Sequence, residues 1–319
     1  MRILLTGGVG FIGTSLLPHL LRDSDCSKIT VLDNLRHTAN PENIPNFEKS
    51  AKFKFIEGDI RNADLTRQLV LGNDLIINLA AETFVDNSIA NSRIFFETNV
   101  LGTHNLLEGM RVNGKQRLIQ TSTDEVWGQA KTGEFFNENT PYSPRNPYSA
   151  SKASADHMVK AFGETYGIKF NIVHFTNLYG PWQYPEKLIP ISIVKLLEDK
   201  KILIHGEGNN IRTYLHVEDS INGLLRVMKS GKNGESYALG SQNERTNMEV
   251  ARLLLSIFSK PETEIEHVKD RPGNDLRYAV DFLKIKKELG WDPQINFEEG
   301  VKDKVDWFRN HQDWWGRRK

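Results

Sequence analysis

The chain has 319 residues, with 41 Lys+Arg against 41 Asp+Glu, enough for one large or two ordinary domains with a full core. Hydrophobic residues at 39% and 24 glycines make a globular composition and exclude collagen-like, coiled-coil and disordered classes. A net charge of zero and a pI near 7.1 leave no broad electrostatic footprint for nucleic acid or anionic lipid.

The first apolar run, residues 2–6 (RILLT), reads as a strand. Glycines at 7, 8, 10 and 13 follow it, and Phe11 to Leu21 then carries helical spacing. Further strands are expected at Lys28–Asp33 (KITVLD), Phe53–Ile56, Asp74–Ala80 (DLIINLA), Arg117–Thr123 (RLIQTST) and Phe170–Phe175 (FNIVHF), with a helix from about Ser149 to Tyr166 between the last two. Strands alternating with helices imply right-handed βαβ crossovers, and so an α/β fold built on a doubly wound parallel sheet of Rossmann type. After Asn177 the pattern turns irregular. We expect a smaller substrate-binding lobe over residues 179–319, and a cofactor-binding domain over 1–178 that is rejoined by about 216–240, where Glu235–Leu239 (ESYAL) reads as a returning strand. Phe297–Trp315 is expected to be one amphipathic helix packed on the body through Val301, Val305 and Phe308. No run approaches a membrane span and the N-terminal run is too short for a secretory signal. The single cysteine, Cys26, can form no internal disulfide and no zinc cluster, so a cytoplasmic protein without bound metal is expected.

The chemistry begins at Gly7-x-x-Gly10-x-x-Gly13. Glycines at this spacing let the chain turn tightly, admit a pyrophosphate and pack helix on strand, while the helix N-terminus supplies free amides and a positive dipole end. Asp33, at the end of the next expected strand and about 20 residues on, is placed to accept hydrogen bonds from ribose hydroxyls. A carboxylate there repels a 2′-phosphate, so NAD is expected rather than NADP, although Arg36 nearby leaves the phosphorylated cofactor open. Asp59 and Ile60 follow the third strand where an adenine would lie; an ordinary strand-end turn explains them equally well.

Tyr148 and Lys152 stand one helical turn apart and share a face. A phenol titrates near ~10; a neighbouring ammonium and a cationic nicotinamide ring would both favour phenolate, making Tyr148 a base for a sugar hydroxyl. Ser122 or Thr123, ending the RLIQTST strand, would hold the same hydroxyl.

Taken together, the glycine turn with Asp33, TSTDEVWG at 121–128, PYSASKASADH at 147–157, NLYGPWQYPEKLIP at 177–190 and DRPGNDLRY at 270–278 resemble the extended short-chain dehydrogenases, and within them the nucleotide-sugar 4,6-dehydratases. The resemblance covers essentially the whole chain, and its most specific element is Thr123-Asp124-Glu125. It implies NAD-dependent conversion of a nucleotide-activated hexose, dTDP-glucose or a UDP-hexose, to its 4-keto-6-deoxy derivative. The C4 hydroxyl is oxidised, water is lost across C5 and C6, and the hydride returns to C6. By the same resemblance Glu125 is the C5 base, Asp124 the O6 acid, and Thr123 assists Tyr148 at O4. Two carboxyl groups in different protonation states suit those two tasks. Further cofactor contacts are implied for Phe11, Ile12, Asn34, Leu79, Ala80, Ala81 and Thr98. Substrate contacts are implied for Thr83, Phe84, Asn177, Glu186, Lys187 and Leu188 near the sugar and diphosphate, and for Arg212, Asn247, Arg271, Asn274 and Tyr278 toward phosphates, ribose and base. A homodimer joined by the helices after Thr98 and Tyr148 is implied as well.

Several positions depart from the glucose-specific members. Phe84 and Asn87 stand where His and Arg are usual, Asn274 replaces a His, and Trp127 stands where Tyr is more usual; these changes put the hexose and base in question. A 4-epimerase or decarboxylase of the same superfamily would need no acid pair at 124–125. A non-catalytic NAD-binding sensor would need neither that pair nor Tyr148 with Lys152.

Overall fold

Apolar, β-branched runs separated by helices pair in parallel because each crossover helix must bury its own apolar face on the sheet. The computed structural model, which describes residues 1–270 and 275–317, shows this for seven of twelve strands: β1 Arg2–Thr6, β2 Lys28–Asp33, β3 Phe53–Glu57, β4 Leu75–Asn78, β5 Arg117–Thr123, β6 Lys169–Phe175, β7 Asn177–Tyr179, β8 Ile202–His205, β9 Ile211–His216, β10 Ser236–Leu239, β11 Glu244–Thr246 and β12 Ile265–Val268. The large sheet runs β10-β6-β5-β4-β1-β2-β3, parallel throughout, with Leu5 of β1 facing Val31 on one side and Ile77 on the other. Both faces are covered. Leu5, Val31, Ile77, Leu16, Leu224 and Tyr237 share one core, and Leu4, Ile76, Leu106, Leu118 and Val159 another.

The strand order reverses between β1 and β4, so a crevice opens beyond their carboxyl ends. β4 is shorter than expected: it stops at Asn78, and Leu79 and Ala80 lie beyond the paired segment. Its last residue is held sideways instead, with the Thr6 hydroxyl donating to Asn78 Oδ1 at 2.6 Å and Asn78 Nδ2 donating to Gln120 Oε1 at 2.8 Å. These bonds satisfy polar groups across three neighbouring strands one step below the crevice.

The second lobe is built on the sheet β11-β9-β7 and the parallel pair β12-β8. Helices Leu188–Leu197, Asn247–Ile257 and Phe297–Asn310 close over Tyr179, Ile193, Tyr214, Leu254, Phe297 and Phe308. The expected single terminal helix is broken at His311, which has φ −125° and ψ 41°, and resumes over Gln312–Gly316. The break lets both adjacent indoles turn inward. Trp315 Nε1 donates to the Phe308 carbonyl at 2.9 Å and Trp314 Nε1 to Asn40 Oδ1 at 3.0 Å. Among the described residues no helix is long and apolar enough to cross a membrane.

Candidate active site

Two adjoining cavities lie over the carboxyl ends of the sheet. The smaller, ≈ 100 Å³, is lined by Gly7, Gly10, Asp33, Asn34, Asp59, Ile60, Ala80 and Thr98 among others. The larger, ≈ 510 Å³, takes in Phe11, Ile12, Thr123, Asp124, Glu125, Tyr148, Lys152, Asn177, Lys187, Leu188, Arg212, Asn247 and Tyr278. Leu79, Ala81, Thr83, Phe84 and Glu186 line both, so the two form one groove. Of the candidate residues within the described chain, Gly13 and Trp127 touch neither cavity; Arg271 and Asn274 lie outside the described residues.

The small cavity has the form a dinucleotide requires. Gly7 has φ +66°, and a Cβ there would sit 2.7 Å from the Ala80 nitrogen; at Gly13 a Cβ would come within 2.4 Å of the Gly8 carbonyl oxygen. These two glycines bring backbone against backbone. At Gly10 a Cβ would meet only the Gly7 carbonyl, at 3.3 Å, so the space it leaves faces the cavity and admits a close-lying phosphate. Asp33, 8% exposed, accepts from Val9 N at 3.1 Å through Oδ2 and from Leu35 N at 2.9 Å through Oδ1. Burial pushes its carboxyl up and those two amides pull it back. Lone pairs remain on both oxygens for a diol. Arg36, the group that kept a 2′-phosphate open, is turned aside to Glu82 at 3.2 Å. Asp59, although burial opposes it, is held at about 2 by Arg61 and Asn34. Its carboxylate is thus already occupied by the protein. This donor and acceptor set fits NAD.

The candidate catalytic residues come from two elements. Helix Pro147–Tyr166 starts two residues before the sequence indicated: Asn146 caps it by accepting from Ser149 N at 2.9 Å, with Pro147 in the first turn. Tyr148 and Lys152 therefore sit in its first two turns, 8% and 5% exposed. The second element is the short 3₁₀ turn Asp124–Trp127, entered from β5, where the Thr123 hydroxyl accepts from Glu125 N at 3.3 Å. The turn presents the acid pair beside Tyr148.

The two acids differ. Asp124 is 2% exposed; burial, then the charge of Glu125, pushes its carboxyl up to about 8. Its Oδ1 accepts from Thr123 Oγ1 at 3.2 Å and its Oδ2 has no partner among the described residues. Glu125 is only half-buried and accepts from Nδ2 of the helix cap Asn146 at 3.2 Å. At neutral pH Asp124 holds its proton while Glu125 stands beside an amide donor, so environment sets the two carboxyl groups apart.

One expectation needs correction. Burial, then the charge of Glu125, raises the Tyr148 hydroxyl well above a free phenol, while its bond to Thr123 lowers it. Lys152, whose ammonium donates to the Thr121 carbonyl at 2.6 Å, does not reverse this. In the chain alone the phenol stays protonated. Trp127 is also not where the sequence left it open: it is buried against Phe136, Tyr142 and His174 and lines neither cavity, so it does not read the hexose directly.

On the substrate side, Lys187 Nζ donates to the Thr83 carbonyl at 3.1 Å and lies 5.6 Å from the centre of the Phe84 ring. Burial raises the Glu186 carboxyl. Arg212 stacks over Tyr278 at 4.2 Å and donates to the Asp275 carbonyl at 2.9 Å, and the Tyr278 hydroxyl donates to Asp275 Oδ2 at 2.6 Å. Two site residues escaped the sequence reading. Asn146 carried a signal, since Asn before Pro at a helix start is a capping pattern. Asn99 carried none. It lies in the π-helical turn Phe96–Leu101, where its side chain accepts from Glu82 N at 2.9 Å and donates to the Glu82 carbonyl at 3.0 Å and to Ser151 Oγ at 2.9 Å. It ties the loop lining both cavities to the Tyr148 helix, through a turn of a kind that is frequent at functional sites.

Comparison with known proteins agrees with this geometry. Residues 4–304 match the family described as GDP-mannose 4,6 dehydratase. The dTDP-glucose 4,6-dehydratase of Mycobacterium tuberculosis is 40% identical over 99% of this chain and 95% of its own length. A trifunctional UDP-glucose 4,6-dehydratase of Arabidopsis thaliana is 41% identical over 98% of this chain and 48% of its own length. The crystal structure of the dTDP-glucose 4,6-dehydratase DesIV from Streptomyces venezuelae, solved with NAD bound, superposes with a TM-score of 0.97 over 100% of both chains at 39% identity.

Proposed function

The chain belongs to the GDP-mannose 4,6-dehydratase family, and from that premise we propose how its residues share the reaction. It is an NAD-dependent hydro-lyase that turns a nucleotide-activated hexose into the 4-keto-6-deoxy sugar. We propose that the substrate is a glucose nucleotide, dTDP-glucose first, because relatives named for that sugar match over the full chain.

The sheet domain, residues 1–178 with the returning segment, would hold NAD. Gly7, Gly10, Phe11 and Ile12 take the pyrophosphate side, Asp33 and Asn34 the ribose, Asp59 and Ile60 the adenine, and Leu79 to Ala81 with Thr98 the floor of the groove. The lobe over 179–319 would hold the nucleotide, with Arg212 suited to phosphate through its planar fork. Held there, NAD would supply hydride acceptance at C4 and hydride return at C6, and its positive charge would favour the Tyr148 phenolate.

The chain's own groups handle the protons. Tyr148, bonded to Thr123, would first give up its own proton, as the charge of bound NAD and of Lys152 favours, and as phenolate would then accept the proton from O4. Glu125 removes the C5 proton, which the C4 ketone has made acidic. Asp124, pushed up to about 8, still carries the proton that O6 needs in order to leave as water. That difference between the acids is the observation carrying the assignment, and it favours elimination over epimerisation, which needs no acid at O6.

A homodimer completes the proposal. The helices that meet through His104 and Phe162 leave Phe96, Leu101 and Tyr166 exposed at 40%, 56% and 51%, an apolar face for a second copy. We place the protein in the cytoplasm, the compartment that suits a chain whose single, buried thiol at Cys26 forms no internal disulfide. Incubation with dTDP-glucose, UDP-glucose and other nucleotide sugars in heavy water tests the function: the product must weigh one water less and carry deuterium at C5. Inversion at C4 without water loss would refute it.

A further inference from the structure

Behind the acid pair lies a closed polar cluster that the reaction scheme leaves unused. Asp156 is fully buried, as are Ser122, 6% exposed, and His174, 1% exposed. Asp156 Oδ2 accepts from Ser122 Oγ at 2.5 Å and from the Tyr142 hydroxyl at 3.3 Å. His174 Nε2 lies 3.3 Å from that oxygen and 2.8 Å from the Tyr142 hydroxyl. Asp156 Oδ1 and His174 Nδ1 have no partner among the described residues. Of these four side chains only Ser122 lines the large cavity, so the others do not meet substrate directly.

The position of the cluster is informative. Ser122 immediately precedes Thr123-Asp124-Glu125, and Trp127, which ends the same turn, packs its ring 4.6 Å from that of His174. Asp156 stands one turn beyond Lys152 on the catalytic helix. Both catalytic elements are therefore stapled through one carboxyl group. A carboxyl placed at no exposure is costly, and an apolar core would hold these elements together without it. What an apolar core does not supply is charge. Burial works against the Lys152 ammonium, and Asp156 is the group that favours it.

We infer that Asp156 is a positioning residue for C4 oxidation: it locks the Ser122–Trp127 segment against the helix of Tyr148 and Lys152 and stands as the counter-charge of Lys152. The inference rests on the assignment of Tyr148 and Lys152 to that step. Other titratable groups around the pair are accounted for. Tyr148, His157 and Lys160 share the helix, Lys160 lying 4.9 Å from the Tyr142 ring and His157 packing on that ring at 5.1 Å. Tyr142 comes from the preceding loop, His174 from β6, and Asp124 and Glu125 from the turn on the cleft side.

The test uses full-length, NAD-loaded protein and follows the single-turnover appearance of reduced cofactor against pH, alongside steady-state kcat and KM. Asp156→Asn keeps the shape and removes the charge. The alkaline limb of the oxidation step should move to lower pH by about one unit or more, with kcat reduced and KM near wild type. Asp156→Glu keeps the charge but displaces the Ser122 bond, so it should lower kcat and leave the limb in place; this variant carries the test if Asp156→Asn does not fold. An unmoved limb in Asp156→Asn, a limb that moves equally in Asp156→Glu, or wild-type kinetics in either variant overturns the inference. Tyr148→Phe, run in parallel, should abolish oxidation at every pH. Oxidation surviving there would refute the underlying assignment instead, whatever Asp156→Asn shows.

Discussion

Asp33 and Asp124 are buried to nearly the same extent, 8% and 2% exposed, and burial raises both carboxyl groups. They part company in their donors. Asp33 ends β2 with two backbone amides directed at it, one on each oxygen, and these favour the charged acceptor that a ribose diol needs. Asp124 follows β5 with one hydroxyl at 3.2 Å, an unpartnered second oxygen and the like charge of Glu125 beside it. The same residue type at the carboxyl end of a parallel strand is an acceptor held by two amides in the cofactor region and a carboxyl kept protonated in the catalytic region. The amides on Asp33 and the like charge beside Asp124 set the two apart.

The strongest way to break the comparison is to remove the ionisable partner. Glu125→Gln should stop C5 deprotonation, costing about 10²–10⁴-fold in water loss, while reduced cofactor accumulates because Tyr148 and Lys152 still oxidise C4. Stopped-flow absorbance and deuterium content at C5 read this directly; deuterium at C5 in the variant would assign the base elsewhere.

Asp124→Asn should lower water loss by about 10²-fold and remove the alkaline limb near pH 8. Asp124 must hold its proton to act, so activity is full below about 8 and falls above it. Stability should fall with rising pH as well. Burial holds the folded carboxyl at about 8, far above an unfolded aspartate at ~3.9, so between those limits the folded state binds more protons and stability falls as pH rises. Each unit of that window contributes up to about 1.4 kcal/mol. The Asn variant lacks this loss and should melt higher than wild type at pH 7, with the gap widening toward pH 8. Equal melting temperatures across the range would mean that Asp124 is not held neutral.

Asp33→Ser should relax discrimination against NADP by roughly tenfold, equal to about 1.4 kcal/mol, as read from cofactor dissociation constants. The effect is bounded because Arg36 is turned to Glu82 and does not greet the added phosphate. Adding Glu82→Gln should release Arg36 and relax selectivity further; if it does not, the ion pair plays no part in cofactor choice.

The cofactor region was the more legible in sequence. Glycine spacing and an acid after the second strand are local signals, and each maps onto a local constraint: backbone contact at Gly7 and Gly13, amides at Asp33. The parallel sheet was legible for the same reason, since periodicity reports burial. The acid pair could be located from its resemblance to a family, but not its protonation, because desolvation of Asp124 depends on everything packed around the turn. Tyr148 shows the limit plainly. Its spacing from Lys152 suggested a lowered phenol, whereas Lys152 points to the Thr121 carbonyl and burial prevails. Asn99, His174 and the break at His311 left no pattern, since each is defined by contacts between residues far apart in the chain.

The smallest expected effect concerns the hexose. Phe84 lines both cavities and lies under Lys187, at a position where the glucose-specific relatives were expected to carry a polar ring. An apolar ring there gives up one neutral hydrogen bond to a sugar hydroxyl, worth about 0.5–1.5 kcal/mol, and offers a surface for a methyl group. Preference for unsubstituted glucose over a C2-acetamido sugar should then be modest, within about tenfold per 1.4 kcal/mol. Phe84→His should restore the donor and shift the turnover ratio of dTDP-glucose and UDP-glucose to UDP-N-acetylglucosamine toward glucose, while Lys187 keeps its bond to the Thr83 carbonyl. The readout is kcat/KM for the three sugars in both proteins. A wild type strongly selective for glucose, with ratios unchanged in Phe84→His, would show that Phe84 supports Lys187 and leaves the sugar to other residues.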